Sequence, residues 1–308
     1  MRHGTYSIVA RDPETGELGV AVQSHWFSVG SLCAFARPGL GAVATQSVVE
    51  PAYGPRTLDR LAAGEAPREA LDALLAADEL ARARQVGVVD AQGRVAVHTG
   101  HDCIPCAGDV TGPHWSCQAN MMERDTVPAA MSSAFEQATG PLADRLMAAL
   151  EAAEGEGGDV RGRQSAALLV VPAQGEAWET RFNLRVEDHR EPLKELWRLV
   201  LLQRAYDMAN DADELIASGR AEEAGRLYRQ AAEAAPDSDE LLFWAGLALA
   251  QTGDVDAGVE AVLEAANVHP NWLLLLERLS PEFAPAGSAV RDAIARRATS
   301  PDLRSRGS

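Results

Sequence analysis

"TYSIVARDPETGELGVAVQS", residues 5–24, holds two alternating, β-branched runs on either side of "DPETGE", a segment rich in turn formers. The pattern predicts a hairpin. With Arg11 facing Leu18, antiparallel pairing joins residues whose numbers sum to 29, so Thr5 stands opposite Ser24 at the end of the ribbon away from the turn. A slip of one residue would turn Thr5 to the other face.

Working outward, "SLCAFARPGLGAVATQS" (31–47) predicts a second hairpin turning at Pro38–Gly39, which brings Ser31 near Gln46. Residues 66–84 have helical spacing, with Leu71, Leu74, Leu75 and Leu80 on one side. A third hairpin is expected over 85–100, turning at "DAQG", then a helix from about Val127 to Glu154 with Pro128 in its first turn. "QSAALLVVP" and "AWETRFNLRVED" supply a fourth strand pair. The order ββββ–α–ββ–α–ββ uses hairpins rather than βαβ crossovers. The expected class is therefore α+β, antiparallel sheets covered by helices.

Beyond residue 200 the strand signal disappears. Gly219, Ala224, Tyr228, Ala231 and Pro236 match Gly253, Gly258, Val262, Ala265 and Pro270 at a spacing of 34, as Ala212 matches Gly246. That is the tetratricopeptide period. The expected organisation is an α+β domain over 1–200, tetratricopeptide-like helical repeats over 201–298 and a polar tail over 299–308. Two repeats are fewer than the ~3 that usually stand alone. They are expected to pack on the helix from about Pro192 to Tyr206 or on a second subunit, and to bind a peptide or mediate homo-oligomerisation.

With 45 acidic against 28 basic residues and a net charge of −17, the chain is a poor candidate for binding nucleic acid or an anionic membrane surface. No apolar run reaches the ~18 residues of a membrane span, and "MRHGTYSIVARDP" has no secretory h-region. Four cysteines in 308 residues fit a cytoplasmic protein without a disulfide scaffold.

Two stretches carry candidate chemistry. In the first, the hairpin registers gather Thr5, Ser24, Ser31 and Gln46, with His25 and Thr45 beside them, at one sheet edge. The bland alternative is that strand ends are polar because they meet solvent. A threonine at a mature N-terminus, however, supplies both a hydroxyl nucleophile and an amine base, and that amine has an ordinary pKa of about 7.7–8.0. Removing "MRHG" would expose Thr5 in this way. The second stretch, "HTGHDCIPCAGDVTGPHWSC" (98–117), offers Cys103 and Cys106 with His114 and Cys117, or with His98 and His101. These spacings leave zinc open beside ordinary loop cysteines, while a redox CxxC lacks its βαβ context.

The motifs "TYSIVARDPETGELGVAVQS", "GAVATQS", "YGPR", "RQVGVVDAQGRVAVHTG", "RGRQSAALLVV" and "LRVEDH" resemble the bacterial family catalogued as domain of unknown function 1028, over roughly residues 4–200. The resemblance implies an Ntn-hydrolase-like four-layer αββα sandwich and names no substrate. Family sequences usually begin at, or one Met before, the position of Thr5, whereas this chain carries "MRHG". Where Cys106 stands they usually have an aromatic residue, and His101 and His114 lie outside the pattern, so no metal and no cofactor are expected. His98, Gln118 and Asn120 match family motifs and are candidates for lining a pocket. Arg163 and Gln164 are candidates for a substrate carboxylate or an oxyanion, against a structural pairing of Arg163 with Asp188. The expected activity is hydrolysis of a small amide, peptide or ureido compound through Thr5 after removal of residues 1–4. The alternative is a non-catalytic sandwich that binds a small molecule, with the repeats docking a protein.

Overall fold

The computed structural model describes residues 4–299; residues 1–3, and residues 300–308 of the expected tail, lie outside the described residues. The chain divides into two compact units between Leu199 and Val200. The first contains β1 (Thr5–Arg11), β2 (Leu18–Ser24), α1 (Gly30–Cys33), β3 (Ala34–Arg37), β4 (Gly41–Ser47), α2 (Tyr53–Ala62) and α3 (Pro67–Ala76). It continues with β5 (Arg84–Asp90), β6 (Val95–Thr99), β7 (Gly108–Gly112), β8 (Trp115–Asn120), α4 (Val127–Gln137), α5 (Leu142–Gly155), β9 (Ser165–Val171) and β10 (Phe182–Val186).

Two antiparallel sheets result, one in the order β10-β9-β2-β1-β8-β7 and one in the order β3-β4-β5-β6. The first hairpin has the register expected from its turn, with Thr5 opposite Ser24 and Arg11 opposite Leu18. Alternation along each strand sorts side chains by face. Val9, Leu18, Val20, Ala42, Ala44, Val89 and Val171 meet between the sheets. On the opposite face of the six-stranded sheet the Tyr6 hydroxyl reaches Glu154 of α5, and Trp115 packs its ring 5.9 Å from that of Phe135 of α4. On the opposite face of the four-stranded sheet Val43, Val86, Val88 and Ala96 pack with Tyr53, Leu58 and Leu61 of α2 and Leu71 of α3. Fully burying each such valine or leucine contributes about 1.5–3 kcal/mol.

Several expectations change. The second hairpin pairs Ala34 with Ala44 and stops there. Ser31 lies in α1 and is exposed, so it does not come beside Gln46. The long helix over 127–154 is two helices, broken at Gly140, whose φ of 92° suits glycine. The helix expected over 66–84 stops at Ala76, and α2 precedes it. The cysteine–histidine stretch is more than a loop, because it holds β7 and β8, and β8 is the direct neighbour of β1.

The second unit is helical. α6 (Pro192–Ala217) runs through the boundary and is followed by α7 (Ala221–Ala234), α8 (Asp239–Gln251), α9 (Val255–Val268), α10 (Asn271–Arg278) and α11 (Gly287–Thr299). α7 and α9 are each 14 residues long and start 34 residues apart. The glycines before them, Gly219 and Gly253, both have positive φ. Where α8 meets α9, a Cβ on Gly258 would lie 2.5 Å from the Gly246 carbonyl oxygen, so the two backbones touch. Gly258→Ala is therefore expected to cost about 1–3 kcal/mol by forcing the helices apart, despite alanine's better helix propensity. A lower urea midpoint of the helical signal checks this.

Candidate functional site

One end of the space between the sheets is apolar and the other is polar. The polar end lies where β1, β5 and β9 begin and β2, β4, β6 and β8 finish. The face that carries Val9 two residues on also carries Ser7 and Thr5, which are fully buried. Ser7 Oγ donates to Gln46 Oε1 at 2.6 Å and accepts from Gln118 Nε2 at 2.7 Å. Gln46 Nε2 donates to Gln85 Oε1 at 2.8 Å and to the carbonyls of Thr5 and Gln118, each at 3.2 Å. Asn120 Nδ2 reaches Gln85 Oε1 at 3.0 Å, and Ser116 Oγ donates to Gln118 Oε1 at 2.6 Å.

Room for this network comes from Gly87. A Cβ there would lie 2.4 Å from Gln118 Oε1, so only a glycine on β5 lets the β8 amide lie across the opposing sheet. Ser7, Gln85 and Ser116 were not among the sequence candidates. Alternation along β1 marks Ser7, two residues from Thr5, whereas Gln85 is marked only by its pairing with Gln46 in the folded sheet and Ser116 only once β8 is seen to be buried on both faces.

Thr5 itself sits at the mouth of this network. Its hydroxyl donates to Ser24 Oγ at 3.1 Å, and Ser24 Oγ donates to the Gly4 carbonyl through a short contact. Arg161 Nη2 donates to the same carbonyl at 3.0 Å. Asp159, which is 3% exposed, holds Arg161 with both oxygens and accepts the His25 backbone N–H at 3.0 Å. A Cβ on Gly4 would lie 2.8 Å from Asp159 Oδ2. The Gly4–Thr5 peptide is thus enclosed by a carboxylate, a guanidinium and a hydroxyl. Nearby, Asn120 Oδ1 and His25 Nδ1 are buried without a hydrogen-bond partner.

Among the described residues, three of the five non-glycine positions with positive φ lie at this end. Ser47, Cys106 and Met121 have φ of 73°, 55° and 59° although none is glycine. Such residues persist only where their surroundings hold them, and they cluster at functional sites. Ser47 ends β4 beside Gln46, and Met121 follows Asn120. The amides of Met121 and Met122 bond the carbonyls of Ile104 and Cys106, tying the cysteine loop to the end of β8.

Of the sequence candidates, Thr5, Ser24, Gln46, Gln118 and Asn120 come together. Thr45 does not, because its neighbour Gln46 faces inward; Thr45 points to the opposite face and donates to the Glu50 carbonyl at 3.3 Å. His98 pairs with Val86 on that same outer face and donates to the Ala81 carbonyl at 2.8 Å. Arg163 and Gln164 lie beyond the end of β2 with His25. The expected Arg163–Asp188 pair is replaced: Arg163 binds Glu154 and Glu191, and Gln164 Nε2 holds Asp188 at 3.1 Å.

The cysteine–histidine spacing separates in three dimensions. His114 occupies the β7–β8 turn, while Cys103 and Cys106 stand at the far end of β8, about 20 Å away at ~3.3 Å per strand residue. Cys117 is buried on the face toward α4, and burial raises its thiol well above the usual range. Burial likewise raises Cys103. No group of three or more potential metal ligands is found among the described residues. The same residues include no helix long and apolar enough to cross a membrane.

No curated protein matches the chain. Protein SPO2555 from Silicibacter pomeroyi, a solved structure of the DUF1028 family, is similar at 31% identity and a TM-score of 0.59, over 64% of this chain and 88% of that one. Anbu, the ancestral β-subunit from Yersinia bercovieri, is similar at 12% identity and a TM-score of 0.33, over 64% of this chain and 94% of that one. The family described as "Family of unknown function (DUF1028)" matches residues 5–196, a span that includes both sheets and every residue of the polar network. The chain therefore belongs to the DUF1028 family.

Proposed function

We propose that the first unit is an Ntn-hydrolase-like four-layer αββα sandwich, and that it hydrolyses a small amide, peptide or ureido bond through Thr5 once residues 1–4 are removed. The observation that carries this reading is the double donation to the Gly4 carbonyl, from Ser24 Oγ and Arg161 Nη2, beside the Thr5 hydroxyl. Donors fixed where an oxygen gains negative charge favour attack at its carbon. Attack by Thr5 Oγ on the Gly4 carbonyl carbon would move the acyl group from nitrogen to oxygen. The Oγ proton passes to the nitrogen as the Gly4–Thr5 C–N bond breaks, which frees the α-amine and leaves residues 1–4 as an ester on Oγ. Water would then cleave that ester, releasing residues 1–4 and restoring the hydroxyl.

That amine would serve as the general base, with an ordinary pKa near neutrality. In turnover, Thr5 Oγ attacks the substrate carbonyl, its proton passes to the amine and then to the leaving nitrogen, and water cleaves the resulting ester. Asn120 Oδ1, buried and without a partner, is an acceptor available to an incoming N–H. Gln46, Gln85 and Gln118 hold the strand ends on which these groups stand. In the second unit, the 34-residue helical period supports a tetratricopeptide-like segment that binds a peptide or a second copy of the chain.

Intact-mass measurement of the purified protein is expected to show a chain beginning at Thr5. Thr5→Ala is expected to retain residues 1–4 after Met1 processing is allowed for, and to lose all hydrolysis of a panel of small anilides while keeping its far-UV spectrum. A wild-type chain that keeps residues 2–4 and hydrolyses nothing overturns the catalytic reading and favours a non-catalytic binding domain.

A further inference from the structure

An open cleft of about 730 Å³, lined by His25, Arg163, Gln164, Asp188, His189 and Arg190, lies where β2 and β9 meet their flanking loops. Its lining is unusual for this molecule. A chain with net charge −17, histidines counted neutral, places two arginines there against one aspartate, with two imidazoles beside them. Concave sites lined by one sign of charge concentrate the opposite ion.

The internal pairings show which of these groups are free. Arg163 is neutralised by Glu154 and Glu191, and Asp188 is held by Gln164. His189 Nδ1 accepts the Glu191 backbone N–H at 3.0 Å. Arg190 is exposed and makes no ion pair among the described residues, and His25 lines the cleft with its Nδ1 buried on the inner side and without a partner. One free guanidinium beside imidazoles matches a single carboxylate better than a doubly charged phosphate.

The cleft also stands at a defined remove from Thr5. Ser24, directly before His25, is the strand partner of both Thr5 and Ser165, and Ser165 directly follows Gln164. Successive strands are about 4.8 Å apart, so Gln164 and Thr5 are about 10 Å apart along the sheet end. That distance suits a chain of a few bonds between a carboxylate and a scissile carbonyl.

We propose that this cleft binds a carboxylate of the ligand, held by Arg190 and His25, so that the substrate class is an amide carrying an acid group a few carbons from the carbonyl. As a substrate subsite the inference rests on the Thr5 reading; as an anion-selective cleft it does not.

The two are separated by measuring binding in a Thr5→Ala chain made without residues 1–4, which leaves the space around position 5 open, and turnover in the wild type, using glutaryl-p-nitroanilide and its methyl ester. The acid is expected to bind Thr5→Ala at least about tenfold more tightly than the ester, the effect of one charge-assisted contact. The advantage is expected to disappear when Arg190→Gln and His25→Gln are added, and to shrink with salt. Equal binding of acid and ester, failure of both to bind, or an acid preference untouched by those two substitutions overturns the inference. Acid-selective binding without wild-type turnover removes the nucleophile and keeps the cleft. Turnover of both compounds without acid preference does the reverse.

Discussion

Gln46→Met is expected to lower the unfolding free energy of the first unit by about 3 kcal/mol, because it removes one amide from a buried network whose other members cannot reach water. Methionine nearly preserves the length and volume of glutamine, so the cost is polar rather than steric. The Ser7 hydroxyl loses its only acceptor among the described residues, and Gln85 Oε1 keeps only the Asn120 amide. The carbonyls of Thr5 and Gln118 each lose a side-chain donor. Each buried polar group left without a partner costs about 1–3 kcal/mol, partly offset by better burial of the thioether. Urea unfolding followed by tryptophan fluorescence reads the loss as a lower midpoint at unchanged slope.

Ser7→Ala provides the internal control. If the groups act as one network, the double variant costs less than the sum of the singles by roughly 0.5–3 kcal/mol, because alanine at position 7 removes the stranded donor. Strict additivity would show that Ser7 and Gln46 are independent and that the network is only a list of contacts. The same network supports the Thr5 carbonyl, so Gln46→Met is also expected to slow removal of residues 1–4. Intact mass against time after synthesis reads that effect.

How much of this was legible in the sequence depends on what each residue's neighbours say. The first hairpin was fully legible, because a turn-rich segment between two alternating runs fixes the register, and the register fixes Thr5 against Ser24. β8 was not legible. In "WSCQAN" the outward residues Trp115, Cys117 and Ala119 alternate with Ser116, Gln118 and Asn120, which looks like a half-exposed strand or a loop. In fact both faces are buried, and the polar face meets another sheet. Single-sequence alternation cannot distinguish water from a buried amide network, since both favour polar side chains. Thr45 and His98 were misplaced for a related reason. Proximity in sequence to Gln46 and Thr99 puts them on the opposite face of their strands. Asp159 and Arg161 left no periodic trace because they act from a loop. The placement of Gly4 against that loop shows what they surround.

Arg84→Met is expected to cost about 3–5 kcal/mol, because it strands a carboxylate in a largely enclosed site. Arg84 is 6% exposed. Its Nε and Nη2 bind the two oxygens of Asp78 at 2.7 and 3.3 Å, and its Nη1 donates to the Val48 carbonyl at 2.5 Å. Tyr53, on α2, donates to the same carboxylate at 3.0 Å, and burial together with Asp78 drives its hydroxyl far above the usual phenol range. The cluster therefore joins α2, the end of α3 and the start of β5 to the backbone beside Ser47, whose φ of 73° needs support. Losing Arg84 removes both the counter-ion and the support next to Gln46 and Gln85. The pH dependence follows from Asp78. The Arg84 hydrogen bonds, opposed by burial and helped by the Leu80 amide and Tyr53, hold its carboxyl below the ordinary value of 3.8. A carboxyl depressed in the folded state stabilises the fold fully above its unfolded pKa of about 3.9, and that contribution is lost as pH falls through the folded value. In Arg84→Met the carboxyl loses the bonds that depress it most and keeps the burial that raises it, so the gap from wild type is expected to begin narrowing above pH 4, as the variant's Asp78 protonates, and to narrow further below about 4 as the wild-type carboxyl does. Asp78→Asn tests the same pair from the other side, leaving Arg84 without its charge partner, and its cost is expected to narrow only below about 4, where the wild-type carboxyl protonates. A gap that stays constant down to pH 3 in both series would mean that Arg84 stabilises this end by packing its stem rather than by its charge.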